Sequence, residues 1–133
     1  MSLHGYSGKS LAEKLGLKPG LRLAAVNAPP HYDDLIGPLP TGGALVEDPG
    51  GADIAHLFVA DRADLAGRAA GLTAKLKQGA ALWISWPKKA SPLFVDLTEG
   101  GVRAAILPTG WVDVKVCAVD ADWSGLKFLR RRT

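Results

Sequence analysis

Between Asp53 and Arg132 the chain alternates in a way that few folds accommodate. An apolar strand, a helix, a second apolar strand and a second helix are followed by two strands with only Ala121-Asp-Trp-Ser124 between them. Ile54 to Val59 is nearly all apolar, as expected of a parallel strand covered on both faces. Arg62 to Lys77 has helical spacing, with Leu65, Leu72 and Leu76 on its inner stripe, Asp61 or Arg62 near its start and Gln78-Gly79 as its stop. Gly67 and Gly71 each cost such a helix roughly 1 kcal/mol against alanine, a cost that close packing on the sheet would explain. Leu82-Trp-Ile-Ser-Trp86 is the next strand, ended by Pro87, and Asp96-Leu-Thr-Glu99 caps a helix running to about Leu107. The link between the last two strands suits a hairpin and is too short for a parallel crossover, so the final strand should be antiparallel to its predecessor.

The first half is less regular. Ser10-Leu-Ala-Glu13 has the pattern of a capping box, Leu11 and Leu15 share a helical face, and Gly16 suits the stop. Leu21 to Asn27 reads as a buried strand that Pro29 and Pro30 must end. Tyr32, Leu35, Ile36 and Leu39 have the spacing of a short helical turn, Ala44 to Glu47 is a short strand, and Asp48-Pro-Gly-Gly51 is a strong turn. Further strands are expected near Ile54–Ala60, Ala81–Trp86, Val112–Val119 and Leu126–Arg131. Together these predict one α/β domain over residues 1–133, Rossmann-like, with a mostly parallel sheet.

A chain of 133 residues suits one domain, and 47% hydrophobic with 22% charged residues is ordinary globular composition. The formal charge of +3 permits anions as partners without demanding nucleic acid, and no nucleic-acid recognition motif is present. Part of the excess is Arg130-Arg131-Arg132, read as a solvated end. Cys117 is the single cysteine, so no internal disulfide and no cysteine-based zinc site can form. The N-terminal stretch lacks the apolar core of a signal peptide, and no apolar run approaches the roughly 18 residues of a membrane span. A cytoplasmic protein, not bound to membrane, is expected.

Two resemblances follow from particular residues. Val26-Asn-Ala-Pro29, Leu57-Phe-Val59, Trp83-Ile-Ser-Trp-Pro-Lys-Lys89, Asp96-Leu-Thr-Glu99 and Val112-Asp-Val-Lys-Val-Cys-Ala-Val-Asp120 resemble an uncharacterised family of short bacterial proteins, which brings no activity with it. More loosely, Asp53 to Ser85 is similar to the second half of a class I S-adenosylmethionine-dependent methyltransferase domain. An acidic residue opens an apolar strand, a helix follows, and Leu76-Lys-Gln-Gly-Ala80 stands where that family has a leucine-lysine-x-glycine-glycine turn. This likeness implies the spatial strand order 2-1-3-4-6-5. It also implies that Glu47 or Asp48, at the end of the second strand, stands where an acidic residue would hold a ribose hydroxyl. The departure is after the first strand. That family has a glycine-rich turn there, whereas this chain has Asn27-Ala-Pro-Pro-His31, whose prolines remove two backbone donors and fix the turn. The likeness is thus to a reduced scaffold with its cofactor site lost or changed, and no cofactor is expected.

Most familiar chemistries are excluded. Gly5-Tyr-Ser-Gly-Lys-Ser10 lacks both the earlier glycine and the preceding strand of a phosphate loop. His4, His31 and His56 show no metal-binding spacing, and no G-x-S-x-G elbow exists. Cys117 between Val116 and Ala118 reads as a small buried hydrophobe, and His56 as a hydrogen-bonded core imidazole. Lys88 and Lys89, after Trp86-Pro87, are the strongest local candidates. Ligands of open parallel sheets collect beyond the carboxyl ends of the strands, where Asn27, His31, Asp61, Trp86 and Asp120 should also lie. An aromatic face with two cations suits a nucleotide-like anion; the bland reading makes Trp86 core and the lysines solvated. Trp123 stands in the hairpin link as a cap or a partner contact. Two functions remain open: a non-enzymatic or degenerate domain acting by self-association or through a protein partner, and an enzyme or binding protein for an anionic small molecule at that edge.

Overall fold

The strands β3 (Ile54–Phe58) and β4 (Ala81–Pro87) lie in the middle of the sheet, and every residue of both is buried. The computed structural model describes residues 10–131. The Gly5–Ser10 stretch up to Lys9, His4 and Arg132 lie outside them. Around the central pair stand β1 (Arg22–Val26), β2 (Ala44–Leu45), β5 (Trp111–Ala118) and β6 (Trp123–Arg130). They form one six-stranded sheet of order β2-β1-β3-β4-β6-β5. β2, β1, β3 and β4 pair in parallel, and β6 runs antiparallel to both β4 and β5. The expected Rossmann-like architecture, strand order and antiparallel finish are all present.

Alternation along β3 and β4 divides the core in two. Ala55, Leu57, Leu82, Ile84 and Trp86 face the helices α3 (Arg62–Lys75) and α4 (Glu99–Ile106). Ile54, Phe58, Ala81 and Trp83 face α1 (Leu11–Leu15) and α2 (Tyr32–Ile36). Side-chain caps start α1, α3 and α4, whereas His31 makes no such bond at the start of α2. Ser10 and Glu13 form the capping box of α1, and Gly16 ends it at a φ of 85°. Asp61 caps α3 by accepting the Asp64 N–H at 2.8 Å. Thr98, not Asp96, caps α4. Asp96 instead accepts the Arg62 N–H at 2.9 Å and ties the β4–α4 loop to the start of α3.

Several sequence boundaries move for physical reasons. Pro87 stays in β4 opposite Trp123, at the strand's last position, where a missing N–H costs the ladder least. β6 begins at Trp123, so the hairpin is tighter than read. β5 slips register between Asp113 and Lys115, so the two residues point to opposite faces. Arg130 is not a solvated end: its guanidinium donates to the Leu76 carbonyl at 2.7 Å and lies 4.6 Å above the Trp111 ring.

The largest departure from an ordinary parallel crossover is the link from β2 to β3. It contains only the 3-10 turn Pro49–Gly51, capped by Asp48, where such crossovers usually carry a helix. Asp53 closes the link. Its carboxylate accepts the Arg22 N–H at 2.8 Å and pairs with Lys77 at 2.8 Å, and the Lys77 hydrogen bond holds it below the usual aspartate range.

Gly67 and Gly71 do not pack against the sheet. Both are exposed, and a Cβ at either would meet nothing within 4 Å. Replacing both by alanine should therefore stabilise the domain by about 1–2 kcal/mol through helix propensity alone. Urea unfolding measures this, and a destabilised double variant would mean that α3 is packed more tightly than its geometry shows.

Candidate functional site

β1, β3 and β4 all end at the carboxyl edge, and the β5–β6 hairpin turns there as well. Asn27, directly after β1, holds a left-handed φ of 58°, a conformation asparagine tolerates better than most residues. Its amide donates to the Phe58 carbonyl at 2.9 Å and pins the strand end to β3. The chain then passes Pro29 and Pro30 and makes the single turn of α2. This short turn drives Tyr32 inward rather than leaving a crevice.

Tyr32 is 5% exposed, and its hydroxyl lies 2.9 Å from His56 Nδ1. His56 Nε2 lies 2.7 Å from Ser85 Oγ, and both residues are fully buried. The Tyr32 and Phe58 rings meet edge to face at 5.5 Å, and Trp123 closes on Phe58 at 5.0 Å. Burial pushes the His56 imidazole down to about 3 and raises the Tyr32 phenol above its ordinary range. A hydroxyl–imidazole–hydroxyl row has the outline of an activated serine, but nothing can reach Ser85, and a neutral core imidazole is what the burial produces. The row fills the volume beneath the edge and bonds its own polar groups. The sequence marked His56 as core; it gave no sign of Tyr32 and Ser85 as its partners, because both come from distant segments.

Above this row, His31 Nε2 approaches Asp120 Oδ2 at 3.3 Å and so spans from α2 to the hairpin. The other Asp120 oxygen accepts the N–H groups of Asp122 and Trp123, each at 2.8 Å, and shapes the hairpin turn. The Lys88 N–H donates to the Asp122 carbonyl at 2.8 Å. Asn27, His31, Asp61, Lys88, Lys89 and Asp120 thus belong to the segments that meet at this edge. Lys88 is half-buried and Lys89 exposed, and neither has an ion-pair partner among the described residues. Trp86 is 4% exposed and sits in the core on the α3 side, so it offers no aromatic face here. Glu47 is exposed just past β2. Asp48 accepts the Gly50 N–H at 2.9 Å, and the turn it caps packs against the Lys75 carbonyl, at the opposite end of α3 from Asp61.

Cys117 is half-buried, and burial raises its thiol pKa, against a nucleophilic role. Among the described residues no three His, Cys, Asp or Glu side chains cluster so as to hold a metal ion. No described helix is long and apolar enough to cross a membrane.

No protein-family model matches the chain, and no curated protein matches it in sequence. Solved structures do resemble it. A possible exported protein of Bordetella parapertussis aligns over 91% of this chain and 65% of its own length, with a TM-score of 0.65 at 14% identity. A SAM-dependent methyltransferase from Aquifex aeolicus aligns over 89% of this chain and 86% of its own, with a TM-score of 0.61 at 13% identity. The ribosomal protein L11 methylase of Lactobacillus delbrueckii subsp. bulgaricus aligns over 92% and 76%, with a TM-score of 0.57 at 12% identity. Likeness at this identity shows a fold: the chain has the methyltransferase-like α/β scaffold.

The buried row makes stability depend on pH. An unfolded histidine titrates near 6.5, so below that pH the unfolded chain takes up a proton that buried His56 refuses. Stability should be full above about pH 6.5 and should fall by on the order of 1 kcal/mol per unit between about pH 6 and 4.5. The paired aspartates Asp53, Asp64 and Asp113, whose pKa values are lowered, add their losses at lower pH. Urea unfolding across this range tests it; His56→Gln should flatten the slope, and a flat wild-type profile would mean that water reaches the imidazole.

Proposed function

We propose that this domain is a non-enzymatic or degenerate derivative of the methyltransferase-like scaffold, acting by self-association or through a protein partner. The observation that carries this reading is the closed turn after β1. Pro29 and Pro30 cannot donate to a phosphate or carboxylate, Tyr32 fills the space below, and His31 reaches Asp120 across the top. A glycine-rich turn does the opposite, presenting backbone N–H groups to a cofactor that comes close. We also place the chain in the family of short bacterial proteins whose motifs it shares and in the cytoplasm; the single cysteine supports the compartment. Native mass spectrometry of freshly purified protein should show a species heavier than the monomer, or a co-purified protein, and no adduct of S-adenosylmethionine mass. Titration calorimetry with S-adenosylmethionine should show no heat of binding. A dissociation constant in the low micromolar range or tighter, about −7 to −8 kcal/mol, would overturn the reading.

A second reading rests on Lys88 and Lys89, which have no ion-pair partner among the described residues, whereas Lys77, Arg68 and Arg103 are all paired. In it, a nucleotide-like or other anionic ligand sits on the two lysines, with Asn27, His31, Asp61 and Asp120 around it. Glu47, Asp48 and the buried Trp86 contribute least. Lys88→Ala/Lys89→Ala should then abolish the thermal shift given by nucleotides or phosphosugars while leaving stability within about 0.5 kcal/mol. Equal shifts in both proteins would move the site elsewhere, and no shift with wild type would leave the partner reading standing alone.

A further inference from the structure

The missing crossover helix leaves a groove on the sheet face beside α3. It has a volume of about 260 Å³ and is lined by Val26, Leu57 and Leu72 along with Gly67, Arg68, Gly71, Lys75 and Pro49. Val26 and Leu57 are register partners on neighbouring strands, and Leu72 meets them from the helix, so the floor is apolar. The 3-10 turn Pro49–Gly51 walls one side, with the Gly50 Cβ position 3.4 Å from the Lys75 carbonyl.

Two properties of the wall point outward from the chain. Neither Gly67 nor Gly71 is required by packing within the domain, since a Cβ at either position would enter open space; what their bareness creates is depth in the groove. The two cations on the wall also differ. Arg68 is spent on Asp64 at 2.7 Å, whereas Lys75 has no ion-pair partner among the described residues. Asp48, the acid of the adjoining turn, is turned back onto the Gly50 N–H at 2.9 Å. A small apolar floor with one unspent cation at its border is the composition of a small-molecule site, in which apolar contact supplies affinity and a charge fixes orientation. The volume is too small for a helix from another protein and suits a short chain or a single ring.

We infer that this groove binds a small amphipathic carboxylate, its apolar body on Val26, Leu57 and Leu72 and its carboxylate on Lys75. This site lies on the α3 face of the sheet, reaches the strand ends only at Val26 and Leu57, and does not depend on the partner reading. Octanoate serves as the probe, with octanol lacking the charge and acetate lacking the chain. Octanoate should titrate saturably and move the methyl resonances of Val26, Leu57 and Leu72, while octanol and acetate bind at least ten-fold more weakly. Gly71→Leu should fill the groove in a protein that still folds, since the new side chain meets open space, and should weaken octanoate at least ten-fold. Lys75→Ala should weaken octanoate similarly and leave octanol unchanged. Absence of saturable octanoate binding would overturn the inference. So would undiminished binding by Gly71→Leu, or resonance shifts confined to residues outside the groove.

Discussion

The pairing of β3 with β4 is the contact on which the remainder of the domain depends. Both strands are buried along their whole length, and in their parallel register, Ile54 with Ala81 through Phe58 with Ser85, their apolar side chains divide between two cores. Neither strand has a solvated face, so each core needs helices on its own side, and those helices fix where every chain reversal falls. His56 is the exception inside this pair: a polar ring at the centre of an apolar strand. It is tolerated because Tyr32 and Ser85 sit against its two ring nitrogens, which removes the cost of burying them unbonded.

That solution has a functional consequence at the carboxyl edge. A scaffold that binds a nucleotide there must keep the first strand's turn open and supple. Here the turn is rigid, its aromatic residue serves the core, and its histidine meets the opposite hairpin. Of the groups that satisfy the buried imidazole, Tyr32 comes from the short helix that follows this turn, so the course of the chain after β1 is tied to the packing of the core.

Much of the architecture was legible in the residues. The apolar run Ile54–Val59, the capping box at Ser10 and Glu13, and the short β5–β6 link each encode their structure locally, through burial, side-chain bonding or loop length. The strand order came from likeness to a known scaffold and was right. What was not legible depended on contacts between distant segments. Trp86 could face a ligand or the core on pattern alone; the alternation along β4 puts it beside Ile84 and Leu82 on the α3 side. Nor does the sequence announce that Asp48 caps the 3-10 turn of the brief β2–β3 link. Arg130 read as a solvated tail because nothing in the sequence announces the Trp111 ring or the Leu76 carbonyl beneath it.

The register slip in β5 between Asp113 and Lys115 bears on how this molecule behaves among its own copies. A long outer strand carrying exposed Val114 and Val116 would ordinarily be a template on which another chain could add by backbone pairing. The slip breaks the regular spacing of free N–H and C=O groups midway along that strand. The opposite margin, β2, is only Ala44–Leu45 and offers almost nothing to pair with. Neither margin therefore offers a long regular ladder on which a continuous ribbon of copies could build.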